Sequence, residues 1–172
     1  MSEAEYGVTT EGIEEAAALL AKYPEISLDE MNKAMVRTVA QLSSDVKEFT
    51  PVDRGTLRSK IGGDVETVGG VMGGVRGIVH SGGVPYASVM ELGRQPGSWP
   101  PLEPIRAWCQ RVLGDASAAF LVARKIYLRG IAPRAMFARA WRKDKDWIND
   151  QFVRARKRIV ERLADIGIHV DI

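Results

Sequence analysis

Few side chains in this sequence of 172 residues are of a type and spacing to do chemistry. Two histidines, His80 and His169, lie in short β-branched runs, and neither has a partner at the His-x-x-x-His or Cys-x-x-Cys spacing that a metal ion needs. A strand-edge imidazole facing water accounts for each better than a general base does. The single cysteine, Cys109, cannot pair within the chain, and its apolar helical surroundings predict a buried filler and not a nucleophile. Asp144, Asp146 and Asp150 resemble a cation-binding cluster, but on a helix only Asp146 and Asp150 share a face. Ion pairing with Arg142, Lys145 and Arg154 explains them, Asp150 to Arg154 having the favourable order. Ser43, Ser44 and Ser81 lack a nucleophile elbow, and the glycines between residues 69 and 74 precede no Gly-Lys-Ser/Thr. The expectation is no catalytic residue, no metal and no cofactor.

Charge leaves two other functions open. Arg154, Arg156, Lys157, Arg158 and Arg162 could neutralise phosphates along a helix, although Glu161 and Asp165 interrupt the run and no aromatic is interleaved. Residues 1–86 hold 8 basic and 13 acidic side chains and residues 87–172 hold 16 and 9, which is −5 against +7 within a net +2. Such an imbalance suits nucleic acid, and it equally suits head-to-tail contact between identical subunits. The N-terminus has no apolar core of a signal peptide, and no apolar run approaches the roughly 18 residues of a membrane span, so a protein made and kept in cytoplasm is expected.

The elements that would position these residues follow from periodicity. Thr10 to Tyr23 reads as a first helix with a stripe of Ile13, Ala16, Ala17 and Leu20, stopped by Pro24. Ser27 to Glu30 reads as a capping box opening a long helix, whose Leu28, Met31, Met35, Val39, Leu42, Val46 and Phe49 recur at three and four up to Pro51. Asp64–Val68 and Val75–His80 form a hairpin around glycines. A short turn over Pro85–Leu92 and a loop over Gly93–Pro101 precede helices Leu102–Leu113, ended by Gly114, and Ala116–Arg129, ended by Gly130. A last helix opens at Pro133 and carries Phe137, Trp141, Ile148, Phe152, Ile159, Leu163 and Ile166, and residues 168–172 alternate as a strand added to the hairpin. The fold class expected is α+β, a small antiparallel sheet (the hairpin plus the C-terminal strand) packed against long α-helices. It forms one domain, with residues 1–26 as a helical extension and a helical insertion at about 100–130 in a core of 27–172.

Three segments resemble one family, the neck or tail-completion proteins of lambdoid-type long-tailed bacteriophages. Thr50-Pro51-Val52-Asp53-Arg54-Gly55-Thr56-Leu57-Arg58-Ser59-Lys60-Ile61 is similar to Thr-Pro-Val-Asp-Thr-Gly-x-Leu-Arg-x-Ser-Ile. In it, proline stops a helix, Asp53 bonds forward to backbone amides as an Asx turn, Gly55 tolerates positive φ, and Leu57 with Ile61 re-enters the core. Tyr86-Ala87-Ser88-Val89-Met90-Glu91-Leu92-Gly93 is similar to Tyr-Ala-x-x-x-Glu-Phe-Gly. Pro133-Arg134-Ala135-Met136-Phe137 with Ala140 resembles Arg-Pro-Phe-x-x-x-Ala, with Ala135 where proline is usual. The resemblance covers about residues 28–166 and implies a virion structural protein, not an enzyme. It would form a ring, of six subunits to match the tail tube, that joins the tail to the head connector and contacts the connector and the tail terminator or tube. Arg94, Trp99, Pro100 and Pro101 are the expected partner contacts, because their loop offers no periodic face that would bury them. The second reading is a basic DNA-binding accessory protein, with Arg154, Arg156, Lys157 and Arg158 facing DNA.

Overall fold

The computed structural model describes residues 13–70 and 73–167, with residues 13–21 as backbone alone. The elements are α1 (Ile13–Phe49), α2 (Thr56–Lys60), β1 (Gly62–Val68), β2 (Gly74–His80), α3 (Ala87–Leu92), α4 (Leu102–Leu113), α5 (Ala119–Arg129, after a 3-10 turn at Ala116–Ala118) and α6 (Met136–Asp165). This is an α+β fold with a two-stranded antiparallel sheet packed against helices. The expected strand over residues 168–172 and the Thr10 cap lie outside the described residues.

Helix α1 corrects the expected break at Pro24. It runs unbroken for 37 residues with Pro24 inside it. An interior proline removes one backbone hydrogen bond and costs about 3 kcal/mol. The apolar phase nevertheless continues across it, through Leu20, Pro24, Leu28, Met31 and Met35 at steps of three and four. The capping box is not formed either. Ser27 Oγ is buried without a hydrogen-bond partner among the described residues, and Glu30 is 4% exposed and turned to cations described below. Downstream, Val39 and Val46 of the stripe are buried and Leu28, Met31, Met35, Leu42 and Phe49 half-buried, Ala34, Thr38, Ser43 and Asp45 are buried beside them, and the helix ends at Phe49 before Pro51.

The described residues form two compact units. The first comprises residues 13–41, 63–79 and 144–167. Its hairpin is marginal alone and depends on the helix beneath it. At Gly77 the strand approaches α1 so closely that a Cβ would lie 2.5 Å from Val39 Cγ2 and 2.6 Å from Met35 Sδ. From α6 this unit takes Ile148, Gln151, Ala155, Ile159 and Leu163, all buried at steps of three and four.

The second unit comprises residues 42–62 and 80–143. Here the α6 stripe begins at Met136 and Ala140, both 0% exposed. Trp141, expected on the buried stripe, is 54% exposed. Large aromatics dominate a hydrophobicity reading, whereas the buried positions hold smaller residues one position earlier. Helix α6 also opens three residues later than expected, because the Arg134 and Ala135 amides donate to the Met90 and Glu91 carbonyls of α3. Gly114 and Gly130 end α4 and α5 where expected, and Cys109 is fully buried.

Candidate functional site

The second unit contains a groove of about 790 Å³. Its walls are Pro51 to Leu57, then Tyr86 and Met90, then Arg134, with Pro104, Ala107, Trp108 and Arg111 of α4 opposite. Residues from all three motif segments thus meet at one concavity.

Each segment is built for its place. After Pro51 stops α1, Thr50 Oγ1 donates to the Val46 carbonyl (2.6 Å) and lies 3.2 Å from Met136 Sδ. Gly55 has φ 77°, a left-handed conformation that glycine adopts without strain, and α2 follows directly. Leu57 and Ile61 re-enter the core at 4% and 2% exposure. Asp53 does not close an Asx turn. Its carboxylate instead accepts Nε of Arg111 at 3.2 Å and also Nη2 of Arg111, which ties the motif loop to α4. Val52 and Tyr86 are exposed, at 58% and 48%.

Glu91 joins the second segment to the third. Its carboxylate accepts the Phe137 amide at 2.9 Å and the Ala138 amide at 3.0 Å, two of the first-turn donors of α6 that no helical carbonyl can satisfy. The negative charge also opposes the helix dipole favourably. Gly93 is required beside it: φ is 77°, and a Cβ there would lie 2.5 Å from the Ile131 carbonyl oxygen and 2.9 Å from the Pro133 nitrogen. Ala135 adopts φ 50°, which proline cannot, so proline could not stand here without a change of the backbone.

The Gly93–Pro101 loop is pinned to α5. Arg94 pairs its backbone with Ile131 and sends its guanidinium to the Ser98 and Trp99 carbonyls at 3.3 and 3.2 Å. Trp99 stacks on Phe120 (5.7 Å between centroids) and Tyr127 (5.1 Å) and is still 47% exposed. Pro101 is exposed, whereas Pro100 is buried and not free for a partner. Sequence reasoning missed Phe120 and Tyr127, although their i, i+7 spacing on one helix side was a usable signal.

Comparison with known proteins gives one result. No family model, no curated protein and no solved structure matches this chain.

The charged residues group differently from the expectation. Within the first unit Arg158 Nε donates to Glu30 at 2.7 Å, and Arg162 and Lys33 bind both Asp29 and Glu30. Lys33 first and Arg162 second hold the Asp29 carboxyl below its ordinary value. Arg158 does the same for Glu30 against the opposing effect of burial. Arg158 is therefore not a free phosphate ligand, while Arg154, Arg156 and Lys157 are exposed. Within the second unit Lys143 binds Asp45 at 2.7 Å and Glu48 at 3.5 Å, and Asp45 raises the Lys143 pKa. Asp29, Glu30, Asp45, Glu48 and Asp53 of residues 1–86 are thus matched by basic side chains of residues 87–172 in the same chain, and the gross imbalance alone does not argue for contact between subunits. Asp144 is buried, and Asp146 and Asp150 are exposed without an ion pair to Arg154. No group of three metal-binding side chains exists among the described residues, and none of their helices is long and apolar enough to cross a membrane.

Proposed function

We propose that this chain is a structural protein of a phage head-tail junction, working by self-assembly and partner contact as the subunit of a ring, of six copies if it matches the tail tube. The convergence of the three motif segments on one groove carries the reading. Segments that resemble one family at positions 50–61, 86–93 and 133–140 are each held by an interaction that depends on a motif residue: Asp53 to Arg111, Glu91 to the α6 amides, and Gly93 against Ile131. Their residue types serve a defined local architecture. The exposed Val52, Tyr86 and Trp99 supply apolar surface of the kind partner contacts use. The DNA-binding reading retains Arg154, Arg156 and Lys157 but loses Arg158 and Arg162 to the carboxylates of α1.

Deleting the gene in the virus or prophage that encodes the chain tests the proposal. Filled heads and finished tails should accumulate unjoined, and the wild-type gene supplied in trans should restore joining. Normal infectious particles from the deletion strain would refute it.

A further inference from the structure

Helix α5 buries one side, with Ala119 and Ala123 at 3% and 0% exposure, and presents Phe120, Leu121 and Leu128 outward at 57%, 65% and 58%. On a helix of 3.6 residues per turn Tyr127, Phe120, Leu128 and Leu121 span an arc of about 120°, with Arg124 in its middle and Lys125 and Arg129 along one rim. These three cations are exposed and have no ion-pair partner among the described residues. Trp99, stacked on Phe120 and Tyr127, widens the apolar surface, and Leu102 lines a shallow depression with Phe120. Single exposed apolar residues are ordinary, but an apolar arc bordered by unpaired cations is complementary to an acidic amphipathic segment.

The chain itself carries a segment of that chemistry. Met1 to Leu20 contains Glu3, Glu5, Glu11, Glu14 and Glu15 and no lysine or arginine, while Ile13, Ala16, Ala17 and Leu20 recur at three and four. Asp29, Glu30, Asp45, Glu48 and Asp53 are matched by cations within their own units, whereas residues 1–15 carry five carboxylates with no lysine or arginine before Lys22. We propose that the outer side of α5 in one copy binds the acidic N-terminal segment of a second copy. This inference rests on the self-assembly reading and supplies its contact, a heterologous one that propagates from copy to copy and closes where the rotation permits.

Cysteine cross-linking of the full chain tests it. A double variant, Ala4→Cys with Leu128→Cys, oxidised over a range of protein concentrations should give a ladder of covalent multimers; each single variant should not. The ladder should weaken several-fold as ionic strength rises through about 0.15 M, where the screening length is about 8 Å. Adding Arg124→Glu with Lys125→Glu should abolish it, and Glu14→Lys with Glu15→Lys in the same chain should restore it. Absence of cross-linking at all concentrations would overturn the proposal, as would an internal disulfide in a monomer. So would a ladder indifferent to the charge reversals, or one displaced by a single-stranded oligonucleotide that binds through Arg124 and Lys125. Because the readout is contact between purified copies, its failure is distinguishable from failure of the gene-deletion test.

Discussion

Replacing Glu91 removes the acceptor for two backbone donors at the start of α6. The Phe137 and Ala138 amides lie 2.9 and 3.0 Å from its carboxylate oxygens. A hydrogen bond to a charged group contributes about 1.5–3 kcal/mol, and loss of a helix N-cap costs about 0.5–2 kcal/mol. The half-buried position lets water satisfy part of the vacated donors, so Glu91→Ala should cost about 2–3 kcal/mol. For a chain of this size that corresponds to a fall in Tm of about 4–12 °C. Glu91→Gln keeps one good acceptor and loses the charge-dipole attraction of about 0.3–1 kcal/mol plus the charge assistance of its bonds, for a total near 1 kcal/mol. Thermal and urea unfolding followed by tryptophan fluorescence and circular dichroism would measure both variants. A cost below about 0.5 kcal/mol for alanine, or equal costs for alanine and glutamine, would refute the capping argument.

Three further predictions rest on other contacts. Asp29 and Glu30 are held below their ordinary 3.8 and 4.5, so their stabilisation is complete above those values and is lost as pH falls through the lower folded ones; acid unfolding should steepen below about pH 4. Glu30→Gln should flatten that transition and cost about 1–3 kcal/mol at neutral pH, a pH titration of stability being the check. Ala135→Pro should cost 3 kcal/mol or more, since proline cannot adopt φ 50° and removes the amide bonded to Glu91, whereas Ala135→Gly should be neutral or slightly stabilising in the same unfolding assay. Trp99→Ala loses two aromatic stacks, each about 0.5–1.5 kcal/mol, so Tm should fall measurably while the circular dichroism spectrum stays native; an unchanged Tm would mean the stacks contribute nothing.

What was legible in the sequence was whatever local periodicity and chain punctuation decide. The stripe from Leu28 to Phe49, the strands flanking the glycines, and the stops at Gly114 and Gly130 follow from residues within one element. Pro24 misled because the rule that proline ends a helix is local, and α1 continues through it with the apolar steps of the sequence in phase on both sides. Glu30 misled for a related reason. Ser27 to Glu30 has the pattern of a cap, but the carboxylate finds Arg158 and Arg162, 128 and 132 positions away, which no spacing rule sees. At the groove, the turn at Gly55 and the return of Leu57 were readable, and the Arg111 partner of Asp53, 58 positions on, was not. The motif segments could be recognised one by one; that they meet was visible only in the fold.

The place proposed for this chain is the head-tail junction of a virion, as a subunit of a closed ring. A cryo-electron reconstruction of the intact particle tests it most directly. A ring of identical copies is expected between connector and tail, fitted by the two-unit fold, with the Pro51–Leu57 groove at a contact with a neighbouring copy or an adjacent ring. A junction fully accounted for by other chains, with no density for this one, would contradict it.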